Sequence, residues 1–415
     1  MKRVVITGMG TINPLGNNVP EFWEGLIQGK SGAATITRFD ASKFKTTFAC
    51  EVKNYDSSAH FEKGEARKYD LFTQYALISA AEALKQSGLL DTDFNKERAG
   101  VIWASGNGGI GTLEEQVTEF AKGDGTPRFN PFLIPKMIVN IASGLIAIKY
   151  GLKGINYSTV AACAASNGAI MDAFNYIKWG KADVIVTGGS EAPVTHASVG
   201  GFGSMKAMST RNDAPEQASR PFDKNRDGFV LGEGGAALIL ESYEHAKARG
   251  ANILAEVIGA AMTSDAYHIS ATHPEGEGAY RAMKLAIEDA GISVNDIDYV
   301  NVHATSTPVG DPSEVIALTN LLKGSDHTLT VSATKSMTGH LLGGAGAIEA
   351  IATVNAIREG IIPPTINVTE LDESIPANIQ VVVNKAEKKK VTIGMSDTFG
   401  FGGHNAIVIF KKFID

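Results

Sequence analysis

Two rhythms of hydrophobic and polar positions alternate along this chain, and the alternation starts afresh past its midpoint. Short apolar runs, the signature of strands buried on both faces, are separated by stretches whose apolar positions recur every three to four residues. In the first half Val4–Thr7, Gly100–Ser105, Ile155–Val160, Ala182–Gly189 and Ala236–Leu240 read as strands. Glu21–Gln28, Tyr69–Ser87 and Ile134–Tyr150 read as helices, the second with a stripe of Leu71, Tyr75, Ile78, Ala81 and Leu84 that stops at Gly88. From Ala251 the pattern resumes, with strands at Ile253–Ile258, Tyr299–Val302, Leu329–Val331, Val391–Gly394 and Ala406–Phe410. Helices at Gly278–Ala290, Pro312–Leu322 and Ala345–Arg358 lie between them. Strands alternating with helices predict an α/β protein with largely parallel sheets. The restart predicts two similar halves, residues 1–250 and 251–415, with a polar, glycine-rich excursion from Thr195 to Gly235.

Among the predicted elements, the third strand ends in the most reactive surroundings. Ile155–Val160 runs into Ala161-Ala162-Cys163-Ala164-Ala165, and a helix follows through Ala169, Ile170, Ala173, Phe174 and Ile177. A cysteine at a strand-to-helix junction faces unpaired N–H groups and the positive end of the helix dipole, which predicts a lowered thiol pKa and a nucleophile. Small neighbours leave room for a bulky acyl group. The setting resembles a nucleophile elbow without its G-x-S-x-G pattern. A lone cysteine among alanines is more usually a buried small hydrophobe, so this stretch does not decide for the nucleophile by itself.

Two other motifs test negative. Gly106-Asn107-Gly108-Gly109-Ile110-Gly111 satisfies G-x-G-x-x-G, but Glu114–Ala121 runs into Gly123, Gly125 and Pro127 where a dinucleotide fold needs a strand. A tight turn lining a pocket is the reading kept. Asp223–Gly228 imitates the start of a calcium loop, yet position twelve is Gly234 and Glu233 falls one residue early.

Composition narrows the class. The 415 residues are 44% hydrophobic and 20% charged, enough for a large core. A net charge of −7 argues against nucleic acid as partner. Two cysteines, Cys50 and Cys163, without a CxxC pair, make a disulfide framework or a cysteine zinc site an unpromising reading. The apolar run after Met1-Lys2-Arg3 is too short for a signal peptide, and no window has 18 consecutive apolar residues. The expectation is a cytoplasmic protein with no membrane span.

In the second half His303 follows Val300-Asn301-Val302, and Lys335 follows Thr330-Val331-Ser332. Active sites of open α/β sheets gather at the carboxyl ends of strands, and Cys163 shares that placement. Val302-His303-Ala304-Thr305-Ser306-Thr307-Pro308-Val309-Gly310-Asp311 and Thr334-Lys335-Ser336-Met337-Thr338-Gly339-His340 stand in register with Ser219–Asp223, Arg226–Val230 and Phe399–Gly403. Together with the cysteine, they resemble the elongating β-ketoacyl-acyl-carrier-protein synthases along the whole chain.

That resemblance implies a duplicated thiolase-like αβαβα layered fold with two mostly parallel mixed sheets, in a homodimer. It implies condensation of malonyl-carrier protein with an acyl chain held on Cys163, with loss of carbon dioxide and without metal or cofactor. Cys163 would be the nucleophile, and His303 and His340 would donate from Nε2 to the malonyl thioester oxygen. Lys335, paired with Glu349, would support them, and Phe401 would gate the cysteine from a glycine-rich loop. The acyl oxyanion would sit on the N–H groups of Cys163 and Phe401. Asn107, Phe202, Ser270, Thr305, Thr307 and Phe399 would contact substrate. Lys63, Arg67 and Lys68, at helical spacing, with Arg128 and Lys206, would dock an acidic acyl-carrier protein bearing acyl or malonyl groups.

Three positions depart from the family pattern. Ala304 replaces a glycine, His404 a threonine, and Asn107 an apolar residue at the floor of the acyl pocket near the dimer interface. The last opens an alternative, a ketosynthase of polyene or polyketide assembly. A non-catalytic chain-length-factor subunit would lack the nucleophile. A thiolase would carry a second cysteine near the C-terminus, and an initiating synthase would use Cys-His-Asn. The remaining histidines (60, 196, 245, 268, 273, 327, 404) and Cys50 read as surface or packing residues.

Overall fold

In the computed structural model, which describes residues 1–415, eleven strands form one continuous sheet. In chain order they are β1 Val4–Ile12, β2 Ala99–Ala104, β3 Asn156–Thr159, β4 Val184–Glu191, β5 Gly234–Ser242 and β6 Ala255–Ser264. The second half continues with β7 Tyr299–Asn301, β8 Leu329–Ser332, β9 Ile379–Val381, β10 Ile393–Gly400 and β11 His404–Lys411. Their spatial order is β9-β8-β7-β10-β11-β6-β1-β5-β4-β2-β3. Read outward from the middle, β1-β5-β4-β2-β3 and β6-β11-β10-β7-β8 are one arrangement used twice, with β9 added at the far edge.

In each half a single strand, β5 or β11, runs against the others. The rest share a direction, which makes each half a mostly parallel mixed sheet. One expectation is corrected here. The two sheets are not separate, because Val4–Ile6 pairs antiparallel with Ala255–Val257 and joins them edge to edge.

Five helices complete the layers: α1 Leu71–Ser87, α2 Ala165–Lys178, α3 Glu277–Ala290, α4 Gly310–Leu321 and α5 Ala345–Glu359. Helices α2 and α5 lie between the two half-sheets and touch strands of both. Every residue of α5 from Ala345 to Ile357 is buried, the polar Glu349, Thr353 and Asn355 included, so this stretch has no wet face. Outside, α1 covers β1, β5 and β4, while α3 covers β6 and β11 with α4 packed on it. Helix α3 buries Ala279, Ala282, Met283, Ala286 and Ile287, the single stripe of a helix with one wet face.

Several boundaries differ from the pattern-based reading, each for a packing reason. Strand β1 runs on to Ile12 through Gly8 and Gly10, which are contact surfaces for α1 rather than stops. A Cβ at Gly8 would lie 2.1 Å from the Ala83 carbonyl oxygen, and one at Gly10 2.2 Å from that of Ser79. Strand β10 runs to Gly400 because Ser396, Asp397 and Thr398, polar by type, are fully buried. Ile134–Tyr150 is two helices, Leu133–Met137 and Ile141–Tyr150, broken where Ile138 turns extended. The glycine-rich excursion holds a helix, His196–Ser204, and β9 has no counterpart in the apolar pattern.

Gly8→Ala tests the tightest of these contacts. The variant should lose about 3 kcal/mol of stability as α1 is pushed off β1. Urea unfolding would read this as a lower midpoint at unchanged slope.

Candidate active site

Four strand ends deliver the chemical side chains to one place. After β3 the backbone turns sharply, with Ala162 at φ +47° and Ala161 bridged to Cys163. A left-handed alanine costs on the order of 1–3 kcal/mol, so surrounding contacts must hold it. The turn sets Cys163 two residues before the start of α2.

After β7, His303 is fixed through its backbone. Its N–H donates to Glu314 Oε1 at 2.8 Å, and the Ala304 N–H donates to Oε2 at 2.7 Å. After β8, Lys335 opens a single helical turn, Lys335–Thr338, and Gly339 releases the chain into His340. The His340 N–H donates to the Val230 carbonyl at 2.7 Å, and its own carbonyl accepts from Gly232 N–H at 2.9 Å. After β10, Phe401 sits in the hairpin to β11. There Gly402 and Gly403 adopt φ +88° and +77°, a conformation that needs glycine. The Gly402 N–H donates to the Ile269 carbonyl at 2.8 Å, which ties this hairpin to the segment carrying Ser270.

Cys163 Sγ lies 2.9 Å from His340 Nε2, although 177 residues separate them. The His303 and His340 rings stand edge to face, 5.3 Å apart at 87°. Phe399 packs on His303, and Phe229 meets His340 edge-on at 5.6 Å. A cavity of about 520 Å³ reaches the sulfur and both imidazoles. Asn107, Phe202, Ser270, Thr305, Thr307 and Phe399 all line it, as do Phe401 and Lys206. Phe401 is 38% exposed, and its ring centroid lies 6.4 Å from that of Phe202.

Burial sets the electrostatics. It holds both imidazoles well below their ordinary pKa, and the nearby Lys335 cation pushes the same way, so both rings are neutral at neutral pH. The expected lowering of the thiol pKa is corrected. Cys163 sits in an apolar cluster with Ile36, Val194, Met208, Phe229 and Leu342, and burial pushes its thiol up to about 12. Lys335 and the backbone N–H groups of Phe401 and Cys163 pull the other way without overcoming burial. Lys335 and Glu349 lie behind the cavity, paired with each other at 1% and 0% exposure. Burial raises the Glu349 carboxyl, and Lys335 draws it back.

The basic residues distribute differently. Lys63, Arg67, Lys68 and Arg128 are exposed and outside the cavity lining, whereas Lys206 stands at its wall. The helical spacing assumed for the first three is corrected: Ala66–Lys68 is one 3-10 turn, and α1 begins at Leu71. Arg128 approaches Asp124 at 3.9 Å, and Lys63, Arg67, Lys68 and Lys206 have no acidic partner. Asp223 holds a loop, accepting from the N–H groups of Asn225, Thr369 and Glu370.

Residue patterns missed Glu314, Glu191, Phe229 and Leu342. Glu314 and Glu191 are buried carboxyl groups, at 2% and 0% exposure. Such a carboxylate demands partners, and that was the available signal.

Comparison with known proteins places these features in a family. Residues 1–246 match the beta-ketoacyl synthase N-terminal domain, and residues 254–369 its C-terminal domain. The chain is 46% identical over 412 residues to a 3-oxoacyl-[acyl-carrier-protein] synthase 2 of Synechocystis sp., covering 99% of this chain and 98% of that one. It is 47% identical to its namesake in Staphylococcus aureus, covering 99% of both. Among solved structures, a beta-ketoacyl synthase from Burkholderia phymatum superposes with a TM-score of 0.92 at 34% identity over 100% of both chains. The ishigamide ketosynthase/chain length factor gives the same three values. With family models spanning most of its length and full-length relatives this similar, the chain belongs to the beta-ketoacyl synthases.

Proposed function

We propose that the protein is a 3-oxoacyl-[acyl-carrier-protein] synthase that lengthens an acyl chain by two carbons in fatty-acid biosynthesis. The observation that carries this reading is the 2.9 Å contact between Cys163 Sγ and His340 Nε2, with a second neutral imidazole beside it at the base of a cavity. A nucleophile and two electrophilic donors converge where one reacting carbonyl fits.

In the first half-reaction Cys163 sulfur attacks the acyl-carrier thioester, and the carrier leaves as its thiol. His340 Nε2 is within reach of the thiol hydrogen as the sulfur becomes the nucleophile. The N–H groups of Cys163 and Phe401 receive the oxyanion; losing such a donor typically costs about 3 kcal/mol. In the second, carbon dioxide leaves malonyl-carrier protein while neutral His303 and His340 donate to the thioester oxygen. The carbanion then attacks the acyl carbonyl and expels the Cys163 thiolate, which takes up one proton. Neutral imidazoles suit this step, because a donor that starts uncharged does not trap the malonyl carboxylate as an ion pair.

Lys335 fits a supporting place. Its buried charge biases both histidines toward the neutral form, and Glu349 balances it. Phe401 fits a gate over the sulfur, on a hairpin whose two glycines can swing. Lys206 at the cavity wall, with Lys63, Arg67, Lys68 and Arg128, supplies cations for an acidic carrier. A solved relative at 31% identity is described as a type II PKS acyl-carrier protein in complex with its ketosynthase bound to the hexaketide. We further assign the protein to the cytoplasm as a homodimer of chains that each carry a 1–250 and a 251–415 half. Supporting the dimer, the edge strand β3 is followed by Val160, which is 60% exposed beside the cavity.

Asn107 favours a second reading, a ketosynthase for polyene or polyketide chains, since it sets a polar group against the acyl space. Intact mass after mixing with carrier proteins loaded with saturated and polyunsaturated chains separates the two. An adduct on wild type and none on Cys163→Ala, with 3-oxoacyl product once malonyl-carrier protein is added, is the expected result. Preference for polyunsaturated chains would select the second reading. No adduct from any chain on folded protein would return a non-catalytic partner subunit.

The thiol gives a pH test. Its folded-state pKa is raised above the ordinary thiol value, so the folded protein holds this proton more tightly than the unfolded chain. The associated stability is full below the ordinary value near 8.5 and drains away as pH rises toward about 12. Iodoacetamide labelling of Cys163 should therefore stay slow through pH 9 and accelerate beyond it; fast labelling at pH 7 would contradict it. Lys335→Ala should cost about 3–5 kcal/mol in thermal unfolding, because Glu349 is left as an unpaired buried carboxyl. Lys335→Met with Glu349→Leu should recover most of that stability and not the condensation.

A further inference from the structure

Backbone and side-chain contacts together hold the hairpin that carries Phe401. The Gly403 N–H donates to the Gly400 carbonyl at 3.1 Å and closes the turn. Gly402 N–H donates to the Ile269 carbonyl, and Asp265 N–H to the Gly403 carbonyl, both at 2.8 Å. At the base, a Cβ on Gly400 would lie 3.0 Å from the Cys163 nitrogen, so the hairpin abuts the nucleophile turn.

Successive side chains of β11 point to opposite faces of the hairpin. Asn405, 2% exposed, donates from Nδ2 to Asp265 Oδ1 at 2.8 Å. His404 is half-buried and pairs with Gly400 on one side and Ser264 on the other. Its ring turns back over the turn. A Cβ on Gly402 would lie 3.1 Å from His404 Nε2 and 3.2 Å from Cδ2, so the imidazole edge packs against the Gly402 backbone. The ring is outside the cavity lining, so it has no place in the condensation itself. Phe401 and Gly402 are adjacent, and swinging the phenyl ring off the sulfur rotates the Gly402 backbone. In the closed hairpin that backbone rests on the imidazole.

We infer that His404 is a positioning residue: its imidazole braces the closed hairpin, so Phe401 opens less often than it would over a small side chain at this position. The inference rests on the reading of Cys163 as nucleophile and Phe401 as its cover. Access to the sulfur is then set in part by a residue that never meets the substrate. A threonine, the residue of the family pattern here, has no ring to place against Gly402.

The test compares His404→Thr, which removes the ring and keeps a strand former, with His404→Phe, which keeps a flat ring without nitrogens. Amide hydrogen exchange of the full chain reads the hairpin directly, through peptides covering 399–405 and 265–271. In His404→Thr both peptides should exchange about fivefold faster while the rest of the chain is unchanged. His404→Phe should match the wild type. Acylation of Cys163 by acyl-carrier protein, followed as intact mass in a single turnover, should quicken by a similar factor in His404→Thr alone. Equal exchange in wild type and His404→Thr would overturn the brace. Faster exchange with unchanged acylation would overturn its control of access. A His404→Phe variant that behaves like His404→Thr would overturn the packing argument, since bulk alone would not suffice. Hydrogen exchange needs no turnover, so these outcomes stay separate from the wild-type acyl-adduct result on which the synthase reading stands.

Discussion

The reaction centre depends on backbone-to-backbone contact between turns that belong to different halves of the chain. Gly343 touches the Gly106 turn, and a Cβ on Gly400 would lie 2.7 Å from the Ala161 carbonyl oxygen and 3.0 Å from the Cys163 nitrogen. A Cβ on Gly346 would lie 2.5 Å from Asn167 Oδ1, so the heads of α2 and α5 meet by the same means. These approaches are steric in origin: a methyl at any of them would drive the turns apart. Because they close, a cysteine at the head of α2 reaches a histidine just ahead of α5 across 177 residues of sequence.

Closure also removes water, and desolvation is then the largest influence on the titration of His303, His340, Cys163 and Glu349. It keeps His303 and His340 neutral and Cys163 protonated, and it makes charges scarce and consequential. Each pKa unit is about 1.4 kcal/mol of preference between protonation states, so a single buried charge can decide which form predominates. Lys335 draws the sulfur toward thiolate against burial, and its own charge is compensated by Glu349. A thiol that is stable at rest and a nucleophile when a carbonyl arrives is the balance this arrangement favours. The strand–helix junction implies a dipole-lowered thiol, and burial overrides it, because helix placement is visible in the sequence and depth of burial is not.

Much of the rest could be read from residue patterns. Strand–helix alternation located nearly every element of the sheet, and the ends of β3, β7 and β8 located Cys163, His303 and Lys335. Strand lengths were underestimated wherever glycine or polar residues lie inside, as at Gly8 and Gly10 in β1 and at Ser396–Thr398 in β10. Those residues signal turns locally, and only the packing of α1 or complete burial overrides the signal. The excursion from Thr195 to Gly235 was the poorest reading. It looked like a loop, yet it supplies Val230 to hold the His340 backbone, Phe229 to pack on its ring and Phe202 to line the cavity. Contacts of that kind are long-range, and a local hydrophobic period carries no trace of them.

The repeated strand order makes the division of labour intelligible. Corresponding places in β1-β5-β4-β2-β3 and β6-β11-β10-β7-β8 have taken complementary chemistry. The turn after β2 walls the acyl space and the turn after β7 carries His303, yet a buried glutamate accepts consecutive backbone N–H groups in both, Glu191 in one and Glu314 in the other. The turn after β3 carries the nucleophile, and the one after β8 carries Lys335 and then His340. Nucleophile and donors therefore come from separate copies of the same scaffold, and they meet only if both copies hold their turns rigid. A carboxyl group suits that task, since its two oxygens can accept from several N–H groups at once. Burial raises both carboxyls, that of Glu314 to about 8, while the backbone N–H groups pull each back, so the two turns are held by paired buried carboxyl groups in both halves.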